Sequence, residues 1–151
     1  MKINLALFDR ARLDIKPLAD RVNDLDLGNV LDLEVCARVR PELMEVGRCI
    51  REAKQKGSAV ILFLGAHVLR AGVQRYVIDL MEKGFVSCIG GSGACAIHDY
   101  ELSLIGATTE SVAKYISDGQ FGLWRETGEL NDIVAQGAKN GLGLGEAVGK
   151  A

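Results

Sequence analysis

The feature that most limits what this chain can fold into is a doubled pattern of strand, glycine turn and helix, with a histidine in each copy. The first copy, AVILFLGAHVLRAGVQRYVIDLMEKG, runs from Ala59 to Gly84. The second, FVSCIGGSGACAIHDYELSLIG, runs from Phe85 to Gly106. Ala59–Leu64 is continuously apolar, as a parallel strand covered on both faces must be. Val86–Ile89 reads the same way. Two such strands joined by a helix run parallel, so the turns after them meet at one sheet edge. Open α/β sheets bind their ligands outside the carboxyl ends of the strands. The expected class is therefore α/β, a parallel sheet flanked by helices, with a site at Gly65 and at Gly90–Ala94.

The flanking segments read mainly as helix. Pro41 opens a strong one: Leu43, Val46, Ile50 and Ala53 share one face, Glu42, Glu45, Arg48, Arg51 and Glu52 the other, and Gly57 stops it. Pro17 starts a weaker helical pattern through Leu18, Val22 and Leu25. Leu69, Val73, Tyr76, Val77 and Leu80 keep helical period up to Gly84, and Ile97, Leu102 and Ile105 follow the second turn. Thr108 or Thr109 is placed to cap another helix, with Glu110 near its start. Glu126 to Lys139 reads as the last. Two strands are few for a stable sheet, so weaker strands near residues 3–8 and 120–124, or docking on a second copy or a partner, are expected.

No low-complexity linker divides the 151 residues, and the expectation is one domain. Within it lie a mainly helical lead (1–57), a core (58–128) and a helical, glycine-rich tail (129–151). A formal net charge of −2 gives no pull toward nucleic acid or anionic membrane. The longest apolar run, Ala59 to Leu69, is far short of the ~20 residues a spanning helix needs. Asp9 and Arg10 interrupt the start before a signal core forms. A cytoplasmic chain is expected, with Cys36, Cys49, Cys88 and Cys95 as reduced, largely apolar residues. Cys88, Cys95 and His98 lack the spacing of a common zinc site.

Gly91, Ser92, Gly93 and Ala94 form the candidate anion-binding turn. Glycine there lets backbone N–H groups face a phosphate, and the following helix N-terminus adds positive partial charge. His98, Asp99 and Glu101 are the candidate catalytic groups, since a histidine beside carboxylates can move protons or orient an amine. Acidic groups at a helix start also stabilise it without any function, and both readings stand. His67 either lines the site or bridges the first turn. The tail from Gly141 to Lys150 resembles a phosphate loop but has Leu144 at the first glycine position and Ala151 in place of the hydroxyl residue. Trp124 and Arg125 read as a lid, a subunit contact or, more simply, a core tryptophan.

FLGAHVLRAG followed by MEKGFVSCIGGSGACAIHDYELSLIGAT resembles the deoxyhypusine synthase family, over roughly residues 58–128. The resemblance implies a Rossmann-like, NAD-dependent domain, a homo-oligomer (dimer or tetramer), and transfer of an aminobutyl group from a polyamine. It makes Gly65, His67, Gly91, Ser92, Gly93 and Ala94 cofactor-binding and sets His98 and Asp99 where the family has paired acids. The family's lysine-bearing glycine-rich motif has no counterpart here, so catalysis is expected only with a further half or partner. The alternative is a non-catalytic binding or oligomerisation module of the same fold.

Overall fold

The structure is a computed structural model that describes residues 9–35 and 39–151. The strand expected near residues 3–8 and the thiol of Cys36 lie outside the described residues. The chain divides into two compact units: Asp24–Thr109, and the described residues up to Asn23 together with Glu110–Ala151.

The first of these carries the doubled pattern. Helix α1 (Pro41–Gln55) has proline in its first turn and Glu42 near its N-terminus, and Gly57 follows at φ +67°. Strand β2 (Ile61–Leu64) leads through Gly65 into the short helix α2 (Ala66–Arg70). Strand β3 (Cys88–Gly91) leads through Ser92 into α4 (Gly93–Ile105). The two strands pair in parallel, with Ile61 opposite Cys88, Leu62 opposite Ile89, Phe63 opposite Gly90 and Leu64 opposite Gly91. The α/β class and the parallel pair read from the sequence are therefore present, and α2 packs against α4.

Three local expectations are corrected. The single helix read through Leu69–Leu80 is two, because Gly72 adopts φ +78° and separates α2 from α3 (Gln74–Glu82). The helix read from Pro17 is one 3₁₀ turn, Leu18–Asp20, followed by strand β1 (Asn23–Asp26). Thr108 and Thr109 do not cap a helix; they lie in strand β4 (Ala107–Glu110), which pairs with β1. Neither strand has an apolar run, so each is held by its partner rather than by its own composition.

Among the described residues of this unit the buried side chains are Val86, Glu101 and Thr108, and two of those three are polar. The sheet, by contrast, leaves apolar groups in the open: Ile61 is 54% and Phe63 80% exposed. The Phe63 ring lies across Gly90, so close that a Cβ there would stand 2.5 Å from its edge.

The second unit has an apolar interior. Helix α5 (Val112–Tyr115), α6 (Arg125–Lys139) and α7 (Leu144–Gly149) bring Tyr115, Leu130 and Ala147 inward with Leu18 and Trp124. Trp124 is 2% exposed and meets Tyr115 edge to face at 5.0 Å between ring centroids. It is a core residue, not a lid. Residues 120–124 form no strand beyond an isolated bridge between Trp124 and Lys16. The glycine-rich tail becomes α7, seated on α6 where Gly137 leaves room for Ala147.

Candidate functional site

The register of β2 and β3 sets Leu64 beside Gly91, so Gly65 and Ser92 leave the sheet from the same end. Each is the N-cap of a helix, and neither start has a side-chain cap. The backbone N–H groups of a first turn have no partner within their helix; here the side chain of the capping residue does not take them. A Cβ built on Gly65 or on Gly93 would meet nothing within 4 Å, so both positions open outward. Gly91 is different: a Cβ there would stand 3.2 Å from Cys95 Sγ, and its small size lets α4 fold close over the strand end. Cys95 Sγ in turn lies 3.5 Å from the Leu64 carbonyl oxygen, a weak hydrogen bond that ties α4 to β2. Gly65, Gly91, Ser92, Gly93 and Ala94 are thus brought together, and all five are exposed.

His67 lies on α2, exposed, with Nε2 at 3.5 Å from Arg70 Nη1. Asp99 is exposed on α4.

His98 and Glu101 are tied to β4. His98 Nδ1 is 2.7 Å from Thr108 Oγ1, and the Thr108 hydroxyl donates to Glu101 Oε2 at 2.7 Å. Glu101 is 1% and Thr108 2% exposed. A carboxylate so enclosed does not reach a ligand; the Thr108 hydroxyl touches both it and His98. Thr108 is the residue that sequence reasoning missed. Nothing in its neighbourhood marked it, since a threonine before an acidic residue resembles a helix cap.

Behind Thr108 is a cavity of about 10 Å³ lined also by Asp26, Asn29, Arg70 and Gln74. Arg70 Nε and Gln74 Oε1 are buried there with no hydrogen-bond partner among the described residues. In the other unit, Arg12, Lys16, Tyr115, Asp118 and Gln120 line a recess of about 300 Å³, and it holds none of the residues singled out from the sequence. Among the described residues no three His, Cys, Asp or Glu side chains are grouped to hold a metal ion, and no helix is long and apolar enough to cross a membrane.

The model of the family described as arginine dihydrolase ArgZ-like, C-terminal, Rossmann fold matches residues 44–141. No curated protein and no solved structure matches the chain. The Rossmann-like α/β class stands. The resemblance to deoxyhypusine synthase does not, because the same stretch, with both glycine turns, belongs to a different family. The NAD-dependent aminobutyl transfer and the polyamine substrate that it implied fall with it. A glycine turn after a buried strand is a property of the fold, and a fold hosts many reactions. The motifs that carried the resemblance were of that shared kind.

Proposed function

The chain belongs to the family of ArgZ-like C-terminal Rossmann-fold domains, and from that membership we propose that Asp24–Thr109 is a nucleotide-holding module of an arginine dihydrolase-like enzyme, with NAD as its dinucleotide. The observation that carries the reading is the pair of glycine-led helix starts, Gly65 into α2 and Ser92 into α4, delivered side by side by the parallel strands. Both starts lack side-chain caps, and Gly65 and Gly93 open outward. A pyrophosphate fits such a cradle, since backbone N–H groups and the helix dipole favour an anion. NAD, when bound, supplies hydride transfer. The chain's own part is to hold the phosphates at Gly91–Ala94 and Gly65. His67 and Asp99 stand exposed on the two helices, and His98 serves as the base in the second turn of α4.

Two further properties belong to this reading. The uncovered sheet face with Ile61 and Phe63 is the contact for a second copy of the chain, because a parallel sheet is ordinarily covered on both faces. Cys49, Cys88 and Cys95 are free thiols, in keeping with a reducing cytoplasm.

The test is thermal unfolding and calorimetric titration of the full chain with NAD, alongside Gly93→Asp. That variant adds a side chain where nothing obstructs it, in a helix first turn that tolerates a carboxylate. It puts a negative charge where the phosphates would lie. Wild type at about 100 times its dissociation constant gains about 2.7 kcal/mol, a rise of several degrees for a domain of this size. Gly93→Asp keeps the unliganded midpoint and loses the rise. A folded wild type with neither heat nor shift overturns the reading.

A further inference from the structure

We propose that Thr108 is a positioning residue that fixes His98 as its Nδ1–H tautomer, so that the basic lone pair of the imidazole is on Nε2. A threonine hydroxyl has a single proton and two lone pairs, and an ionised carboxylate only accepts. Thr108 gives its proton to Glu101 Oε2 at 2.7 Å. Its oxygen then has only lone pairs to offer His98, whose Nδ1 is 2.7 Å away and so must carry the hydrogen. The chain of two bonds runs imidazole N–H to hydroxyl to carboxylate.

Two further features of the structure show that Thr108 is held with some effort. Glu101 and Thr108 are among the least exposed side chains in the molecule, and burying a carboxylate is costly unless it is hydrogen-bonded. The neighbouring Thr109 adopts φ +66°, the one described non-glycine residue with positive φ, and its hydroxyl is buried without a partner among the described residues. For a β-branched residue that conformation is a genuine outlier. Strain of this kind clusters at sites where the surrounding structure imposes a geometry. Here it lies next to the hydroxyl that touches His98.

This role deepens the reading of the site above, in which His98 is the base, yet its measurement needs no nucleotide. The full chain has only two histidines, so nitrogen-15 NMR of the rings separates His98 from the exposed His67. In wild type, His98 gives the Nδ1–H pattern at neutral pH, and His67→Gln removes the signals of the other ring so that the assignment is secure. Thr108→Ser keeps the hydroxyl and keeps the pattern. Thr108→Val removes the acceptor, and Glu101→Gln replaces an obligate acceptor by an amide; each shifts His98 toward the Nε2–H form. A wild-type spectrum with His98 in the Nε2–H form overturns the proposal even if both variants fail to fold. So does a folded Thr108→Val protein with an unchanged pattern, which is what a merely structural threonine gives. Absence of NAD binding with the Nδ1–H pattern present overturns the nucleotide reading alone.

Discussion

The carbonyl oxygen of Asn29 occupies the place where a side chain on Gly72 would begin: a Cβ built there would lie 2.0 Å from it. Gly72 also has φ +78°, and its own carbonyl accepts the N–H of Leu31 at 2.8 Å. At Gly72 the turn between α2 and α3 is thus closed against the segment after β1 through backbone contacts.

Gly72→Ala is expected to be strongly destabilising, because it adds both a clash with backbone and a strained φ. A loss of about 3 kcal/mol or more is expected, from a strained conformation of about 1–3 kcal/mol plus the displacement of Asn29. Gly93→Ala is the control: with open space around it and a place in a helix, it is expected to be neutral or slightly stabilising. Chemical denaturation of both variants checks this, and similar midpoints for the two would show that the Asn29 contact does not hold the turn.

Trp124 is the one tryptophan of the chain, so its fluorescence reports the unit around Leu18, Tyr115 and Leu130 without interference. Its indole N–H donates to Glu110 Oε1 at 2.6 Å, and the same carboxylate accepts the Gly122 N–H at 2.9 Å. Trp124→Phe keeps most of the packing and leaves Glu110 Oε1 with only the longer bond from the Gly122 N–H at 3.2 Å. A cost of about 1.5–3 kcal/mol is expected, the range for a hydrogen bond to a charged group. Restoring much of that loss in Trp124→Phe/Glu110→Gln would show that the stranded charge is the cause; simple additivity of the two changes would contradict it.

Phe63 carries the expectation of self-association. At 80% exposure it contributes little to the stability of a lone chain. Phe63→Ser is expected to leave the unfolding midpoint of the monomer nearly unchanged while weakening association in sedimentation velocity at least tenfold. Gly90 opposite it is shaped to the ring, and serine brings no new clash. A wild-type chain that sediments as a monomer at high concentration removes this face from the reading.

How much of this was legible in the sequence depends on whether an element is specified by its own residues. Helix α1 was, because Pro41 can only start a helix and the apolar spacing up to Ala53 needs no partner to be read. So were β2 and β3, as continuous apolar runs before glycine turns, and α6. Strands β1 and β4 were not. Asn-Asp-Leu-Asp and Ala-Thr-Thr-Glu carry no strand pattern, and each exists because the other supplies its hydrogen bonds. The glycine cradle follows from β2 and β3, so it was visible. The contact of His98 and Glu101 with Thr108 requires β4, so the carboxylate read as facing a ligand is instead enclosed. The family assignment failed for a related reason: strand, glycine and helix specify a fold and leave the reaction to residues the pattern does not single out.

Glu126 supplies the pH dependence. The backbone N–H of Leu18 donates to Glu126 Oε2 at 2.6 Å. That bond holds the carboxyl below its ordinary value of 4.5; burial acts against it, and a second backbone N–H and the Arg125 charge add to it. A carboxyl whose folded pKa is depressed stabilises the fold in its ionised form. The contribution is present in full above the unfolded value near 4.5 and is lost as the pH falls through the lower folded value. Glu126→Gln retains an oxygen that can accept from Leu18 but has no charge to lose. The variant is therefore expected to be less stable than wild type at pH 7, with the difference shrinking through the acid range and closing once the wild-type carboxyl is protonated. Urea midpoints followed by Trp124 emission at several pH values from neutral to strongly acidic measure this directly. A difference that stays constant with pH, or widens in acid, would show that the Leu18 hydrogen bond does not depend on the charge of Glu126.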